Sequence, residues 1–409
     1  MKTPKHYRRT LSACRLLALL TIATLAPALA RAQQLTPLFG NAAGAISQVA
    51  SVQVANDQFV TAVINSTGNL EVIAWYANLS TKQLVRQGTW VAGPVETYYA
   101  YEWPAVAISS PFSLNAGISG VFTTAAINSN GNLDVIYWQL KPNGAISPIS
   151  ESALDGGATA VSVASVYSNQ NGYPQFMTAI RNGSGDLQLS LWYVDPAMGI
   201  TFSGNGYAGA INAVSIACLQ DLTSDVITAV SNSAGELEVI QWYYDRFGAV
   251  VSRGNTVYTG TYAYYNAAVA PGVPTLNDPP NFVNAFYTAS PDNLTTVSPW
   301  NQDLGLQGSA TAGGSLQLAM IAHNNAAITV STPYTSILYE AGGTYSLWAF
   351  DQTNSNGEWG QVASAPGAYA TSVSIALVDT SSPSVITFAV AYRNSHGNLQ
   401  IELWNYTQG

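Results

Sequence analysis

The chain has 409 residues, only 9% of them charged, and a formal net charge of −9. Six of its 13 basic residues fall in residues 1–32, which hold no acid, so residues 33–409 carry seven bases against 22 acids, a formal charge of −15. That balance argues against nucleic acid or anionic membrane as a partner, since both are bound through clustered Lys and Arg that displace counterions. No stretch after residue 32 is apolar enough to be expected to span a bilayer.

Residues 1–32 read as a secretory signal peptide. Lys2, Lys5, Arg8, Arg9 and Arg15 form a basic start, Leu16 to Ala28 an apolar stretch, and Ala30-Arg31-Ala32 a small-x-small cleavage site before Gln33. The Arg8-Arg9 pair leaves twin-arginine export open beside the general route. The expected location is therefore outside the cytoplasm, periplasmic or extracellular. Cys14 goes with the signal and Cys218 remains, so residues 33–409 cannot form an internal disulfide. Cys218 sits in the apolar run Val214 to Leu219 and reads as a small buried hydrophobe.

From residue 33 onwards an eleven-residue phrase recurs, in copies at Asn65–Trp75, Asn128–Trp138, Asn182–Trp192, Asn232–Trp242 and Asn394–Trp404. Each has an Asn, a Gly three residues on, a Leu two further and a Trp five after that, and each follows an apolar run such as Phe59 to Val63. This spacing predicts strand, tight turn, strand, with the Gly at φ > 0. Degenerate copies lead to Trp300 and Trp348, which gives seven units with repeat Trp at 75, 138, 192, 242, 300, 348 and 404. An apolar strand precedes each hairpin, for example Ile46 to Val54 and Val214 to Leu219, and a weaker one follows, for example Leu84 to Gly93 and Ile200 to Gly209. Four antiparallel strands per unit is the composition of a propeller blade. The seventh unit has no residues left for a fourth strand after Trp404, while Leu35 to Gly44 resembles Ile200 to Gly209. The expected fold is thus all-β, a seven-bladed β-propeller over 33–409, its ring closed by the N-terminal strand pairing in the last blade. An open solenoid would not need that strand.

In repeat and topology the chain resembles secreted bacterial seven-bladed β-propellers, and its rhythm of short strands with Trp, Tyr and Gly is similar to that of propeller lectins. The resemblance is one of repeat and topology, with no family sugar-binding motif from which to carry over site residues, and propellers host many functions.

Candidate chemistry is sparse. The Asn turns offer at most one carboxylate each (Asp186 and Glu236 follow the Gly), short of what a Ca²⁺ site gathers, so they read as Asx turns. His323 and His396 have no metal-ligand spacing with Cys218, and no Gly-x-Ser-x-Gly elbow supports a Ser-His-Asp triad. No cofactor and no metal is expected. Glu71, Asp134 and Glu238 recur at one repeat place, as do Arg181 and Arg393, and such recurrence favours a structural role. The least repetitive features are two aromatic stretches between units. Tyr98, Tyr99, Tyr101, Glu102 and Trp103 lie in one, and Tyr262, Tyr264 and Tyr265 in the other. On the expected fold both stand on the face of the Asn turns. Rings beside an acid and amides suit a neutral sugar, which stacks its C–H face and donates its hydroxyls. The competing structural reading has the tyrosines capping strand ends. The expectation is a non-catalytic, lectin-like carbohydrate-binding protein, with glycans or envelope proteins as partners. The alternatives are a glycoside hydrolase or lyase, using acids off the repeat such as Glu102 with Asp278 or Asp292, and a protein-interaction platform with a broad apolar face.

Overall fold

The computed structural model describes residues 33–95, 105–111, 119–154, 156–167, 172–218, 225–245, 248–262, 267–271, 282–288, 294–300, 310–313, 317–323, 326–332, 343–352, 359–382 and 384–407. They form strands throughout. The first unit contains β1 (Gln34–Ala55), β2 (Gln58–Asn65), β3 (Asn69–Asn78) and β4 (Gln83–Pro94). The second holds β5 (Val106–Ser109), β6 (Val121–Ile127), β7 (Leu133–Leu140) and β8 (Ile146–Leu154). Next come β9 (Ala158–Val166), β10 (Gln175–Asn182), β11 (Asp186–Asp195) and β12 (Gly199–Cys218), then β13 (Asp225–Asn232), β14 (Glu236–Tyr244) and β15 (Val250–Tyr262). The fifth unit has β16 (Ala267–Pro271), β17 (Phe282–Thr288), β18 (Leu294–Trp300) and β19 (Ala310–Gly313). The sixth has β20 (Gln317–His323), β21 (Ala326–Thr332), β22 (Gly343–Gln352) and β23 (Trp359–Ala370). The seventh has β24 (Ser372–Ser382), β25 (Val385–Arg393) and β26 (Asn398–Thr407).

Among the described residues all strand pairing is antiparallel. Three sheets have four strands, and two have seven, in the orders β24-β25-β26-β1-β2-β3-β4 and β15-β14-β13-β12-β11-β10-β9. The seven-stranded sheets arise because β1 and β12 each run through two units without a turn. The first half of β12 pairs with β11 and its second half with β13. Likewise β1 pairs with β26 from Gln34↔Thr407 to Ala45↔Asn398, then with β2 from Ile46↔Asn65 onwards. The sequence likeness of Leu35–Gly44 to Ile200–Gly209 is the signature of this shared long strand. No turn follows Gly209, since β12 continues straight through it.

Each recurring hairpin turn is held by its Asn. The Asn65 Oδ1 accepts the backbone N–H of Thr67 and Asn69 at 3.0 and 3.1 Å, and Asn128, Asn182, Asn232 and Asn394 repeat the pair of bonds. The Gly between them has φ of 77–87°, which excludes most side chains.

The Trp of the phrase is buried against the preceding unit. Trp75 shares a core with Ile401 and Leu403, Trp192 with Val135, and Trp242 with Leu189 and Leu191. Burial of such a ring contributes roughly 4–6 kcal/mol by area. The indole N–H cannot stay unpaired there. In four units it donates to a Thr on the neighbouring strand, at 2.8–3.0 Å (Trp75–Thr61, Trp138–Thr124, Trp192–Thr178, Trp242–Thr228). That bond adds only about 1 kcal/mol net, but it fixes the ring flat on Phe59, Phe122 or Phe176, with centroids 6.0–6.4 Å apart. The sixth unit departs from the phrase. The β-bulge that accompanies the Trp elsewhere falls at Phe350, so Phe350 takes the place of the repeat Trp and Trp348 stands two residues before it.

Successive units touch along their first strands: β1 with β5, β5 with β9, β9 with β12, β12 with β16, β16 with β20, β20 with β24, and β24 with β1. Serines bridge these strands. Ser162 Oγ accepts the N–H of Ile216, Ser215 Oγ that of Val269, and Ser372 Oγ that of Val49, at 3.2–3.3 Å. Ser51 and Ser374 hydroxyls meet at 2.8 Å. At the outer strands the fit is closer still, because Gly204 lies against the backbone of Gly248 in the next unit and a Cβ on it would collide with that carbonyl oxygen. The backbone cannot yield as a flexible side chain would. Gly204→Ala is therefore expected to lower unfolding stability by about 1–3 kcal/mol, read as a fall in the urea midpoint without loss of the β-sheet spectrum.

Candidate functional site: the turn face and the contact of the last two units

The recurring polar side chains build the face on which the Asn turns lie. Glu71 accepts from the Asn65 amide at 3.3 Å and from Arg86 at 3.0 Å, and Asp134 accepts from the Asn128 amide at 2.9 Å. Burial pushes the Asp134 carboxyl up, the Asn128 hydrogen bond opposes this, and the nearby Glu151 charge adds to it. Glu238 accepts from Asn255 at 2.6 Å. These acids brace hairpins, each within its own unit.

The two recurring arginines have a sharper role. Arg181 Nε donates to the Ile211 carbonyl at 2.7 Å and its Nη1 to Thr159; Arg393 Nε donates to the Ile46 carbonyl at 2.7 Å and its Nη1 to Thr371. Ile211 and Ile46 are the points at which β12 and β1 pass from one unit to the next. The N–H of each is taken by the turn glycine, Gly185 or Gly397. Arginine thus stands in the two units whose last strand crosses directly, and pins the crossing. The first and fourth units carry Ile64 and Ser231 there instead. Those are the units followed by the aromatic stretches.

Of the expected site residues, Tyr98, Tyr99, Tyr101, Glu102, Trp103, Tyr264 and Tyr265 lie outside the described residues, as do Asp278 and Asp292. Their anchors are described. Val95 donates its N–H to the Gly68 carbonyl and bridges Asn128, so the first stretch leaves between two Asn turns. It returns at Ala105, whose carbonyl accepts from Ile127 and whose N–H donates to Gln48. The second stretch begins where the Tyr262 backbone pairs with Glu236, directly after the Gly235 turn. The described residues at which the two stretches begin, Val95 and Tyr262, thus pair beside the Asn turns. His396 lies exposed at the variable place of its turn, and Cys218 is buried.

A second cluster has no counterpart in the sequence reading. Tyr345 on β22 and Tyr392 on β25 both donate their hydroxyls to Glu402 on β26, Tyr392 at 2.7 Å to Oε1 and Tyr345 to Oε2. The two rings are tilted, with centroids 5.1 Å apart, and both are buried, while Glu402 is partly exposed. Burial pushes both phenols well above their ordinary range, and the Glu402 carboxylate raises them further. The repeat places leucine, such as Leu70 and Leu133, where Tyr345 stands, and Val63, Ala126, Ile180 and Val230 where Tyr392 stands. Isoleucine (Ile73, Ile136, Ile240) or serine (Ser190) holds the place of Glu402. Gly367 makes room, since a Cβ there would enter the Tyr345 ring. The Trp–Thr bond is also broken here, in opposite senses. Phe350 leaves the buried Thr329 hydroxyl without a donor, while Val390 leaves the Trp404 N–H turned towards Tyr345 without closing a hydrogen bond of good geometry. The departures of Tyr392 and Glu402 from the aliphatic residues of other copies were the signals available in the sequence.

No protein-family model matches the chain, and no curated protein matches it. Among solved structures, the chain is similar to the SapL1 lectin in complex with alpha methyl fucoside (13% identity over 79% of this chain and 95% of that one, TM-score 0.47). It is similar to the fucose-specific lectin from Aleuria aurantia (8% identity, 78% and 95% covered, TM-score 0.47). A putative 6-phosphogluconolactonase from Bacteroides uniformis scores alike (12% identity, 76% and 82% covered, TM-score 0.49). At such scores these likenesses carry neither fold nor ligand over to this chain.

Two outcomes follow from the side-chain pairings. Val390→Thr gives Trp404 the acceptor that the other units have, and should raise stability by about 1 kcal/mol in urea unfolding. The buried phenols predict alkaline lability. Burial holds Tyr137 up at about 12, whereas an unfolded tyrosine ionises near 10. A group raised in the folded state contributes stability that is intact below the unfolded value and is lost as pH rises through the folded one. The urea midpoint should hold up to about pH 9 and fall from about pH 10 upwards, and Tyr137→Phe should reduce that slope.

Proposed function

We propose that the protein is an exported, non-catalytic seven-bladed β-propeller that binds carbohydrate on its turn face. Ring closure is supported by the contact of β24 with β1, which uses the same serine-to-backbone bonds as the contacts between the third, fourth and fifth units. The N-terminal strand then serves as the outer strand of the last blade, and residues 1–32 serve as its export signal.

The observation that carries the ligand reading is the anchoring of both aromatic stretches at Asn turns, beside Asn128 and beside Glu236. Tyr98, Tyr99, Tyr101 and Trp103 with Glu102, and Tyr262, Tyr264 and Tyr265, then form two aromatic patches on one face. A neutral sugar is the class that such groups recognise, through ring stacking and hydroxyl hydrogen bonds. Two patches on one rigid disc would also favour a branched or repeating glycan by effective concentration.

A glycan array probed with residues 33–409 tests this directly. Saturable binding to one glycan class is expected, weakened at least roughly tenfold, about 1.4 kcal/mol, by Trp103→Ala or Tyr264→Ala. Absence of binding by a folded sample, or binding indifferent to both substitutions, would overturn it.

A further inference from the structure

The contact of the sixth and seventh units brings together two buried phenols from different sheets and one proton acceptor. Tyr345 belongs to the β20–β23 sheet, whereas Tyr392 and Glu402 belong to the sheet that includes β24–β26 and β1. Both hydroxyls already point their protons at the two oxygens of Glu402, and the ring centroids are 5.1 Å apart. A phenol that loses an electron becomes a strong acid. It is therefore oxidised most readily where an acceptor at hydrogen-bond distance takes the proton as the electron leaves. Glu402 is that acceptor for both rings, and its partial exposure lets it pass each proton to solvent. The surroundings, including Leu347, Ala349, Phe388 and Trp404, are apolar and buried.

We propose that Tyr345 and Tyr392 form an oxidative cross-linking site, whose product is a dityrosine bond stapling the sixth unit to the seventh. The co-reactant is a one-electron oxidant, such as a peroxidase charged with peroxide or a photo-oxidised metal complex. Each phenol gives up one electron to the oxidant and its O–H proton to Glu402, which releases it to water before accepting the second. The two phenoxyl radicals join through ring carbons ortho to oxygen. The hydrogen on each joined carbon then moves to its oxygen as the rings regain aromaticity. The net change is the loss of two electrons and two protons, and the chain becomes two hydrogens lighter. In residues 33–409 the lone Cys218 rules out an internal disulfide, so this is a covalent staple the chain can form without cysteine. It would fall at the contact where the repeat's Trp–Thr bond is missing on both sides.

The test exposes residues 33–409 to a photo-oxidised ruthenium complex with persulfate, at dilution that suppresses contact between chains, followed by proteolysis and mass spectrometry. The expected product is a peptide pair joined through Tyr345 and Tyr392, two hydrogens lighter than the sum, in a chain that stays monomeric. Tyr392→Phe should abolish it and Glu402→Gln should lower its yield several-fold, with Tyr207→Phe, at an exposed ring, as the control that leaves it unchanged. Circular dichroism establishes that each variant is folded, and if Glu402→Gln is not, the isosteric Tyr345→Phe decides whether the joined pair is the assigned one. Cross-links found only at exposed tyrosines such as Tyr207 and Tyr369, or a yield in folded Glu402→Gln equal to wild type, would overturn the proposal.

Discussion

The constraint on which the other features depend is the burial of the repeat indole, seen at Trp75, Trp138, Trp192, Trp242 and Trp404, at the boundary between units. A strand pair with apolar residues on both faces is not stable alone and must be covered on each side. The Trp is the largest group doing the covering. Its N–H would cost a few kcal/mol if left bare in such a place, so a Thr on the adjacent strand is needed in register. Register is in turn set by the Asn turn, because a slip of one residue would send the Trp to the other face. The eleven-residue phrase therefore encodes a single object, in which turn, register and ring orientation imply one another.

Between units the logic is polar at the inner edge and steric at the outer. Serine hydroxyls take up the free N–H groups of the next unit's first strand, and glycines let outer backbones approach to where no Cβ fits. Arginine appears where the chain itself crosses from unit to unit, at Ile46 and Ile211. Its guanidinium there donates to the carbonyl of the crossing residue. The N-terminal segment and the middle of the chain resemble each other because each pairs as the outer strand of one unit and then as the first strand of the next.

Much of this was legible because it is local. Hairpins and the periodic Trp follow from apolar runs and turn residues within a few dozen positions, and the spare strand at the N-terminus from its likeness to Ile200–Gly209. What escaped was set by register or by distance. Trp348 looks like a repeat Trp, but the bulge at Phe350 shows that the sixth copy is offset by two residues. Tyr345 and Glu402 are 57 residues apart, and nothing in either segment announces the other. The aromatic stretches were legible as exceptions to the repeat. Of the site residues named there, all but the Tyr262 backbone lie outside the described residues.

A repeat protein can concentrate function only by departing from its repeat, and this chain departs in two ways. At the aromatic stretches it inserts residues between units whose own strands keep the repeat pairing. At the contact of the sixth and seventh units it substitutes inside the core, losing one Trp–Thr bond on each side and burying two phenols and part of an acid instead. Substitution of the second kind is costly, since buried hydroxyls need partners and a carboxylate beside them must stay hydrogen-bonded. Glu402 meets that cost by serving both phenols at once. An apolar triad like Val63, Leu70 and Ile73 would have sealed the boundary with less risk. The polar triad gives the boundary a chemistry that the other boundaries lack, and it does so beside the strand where the two ends of the chain meet.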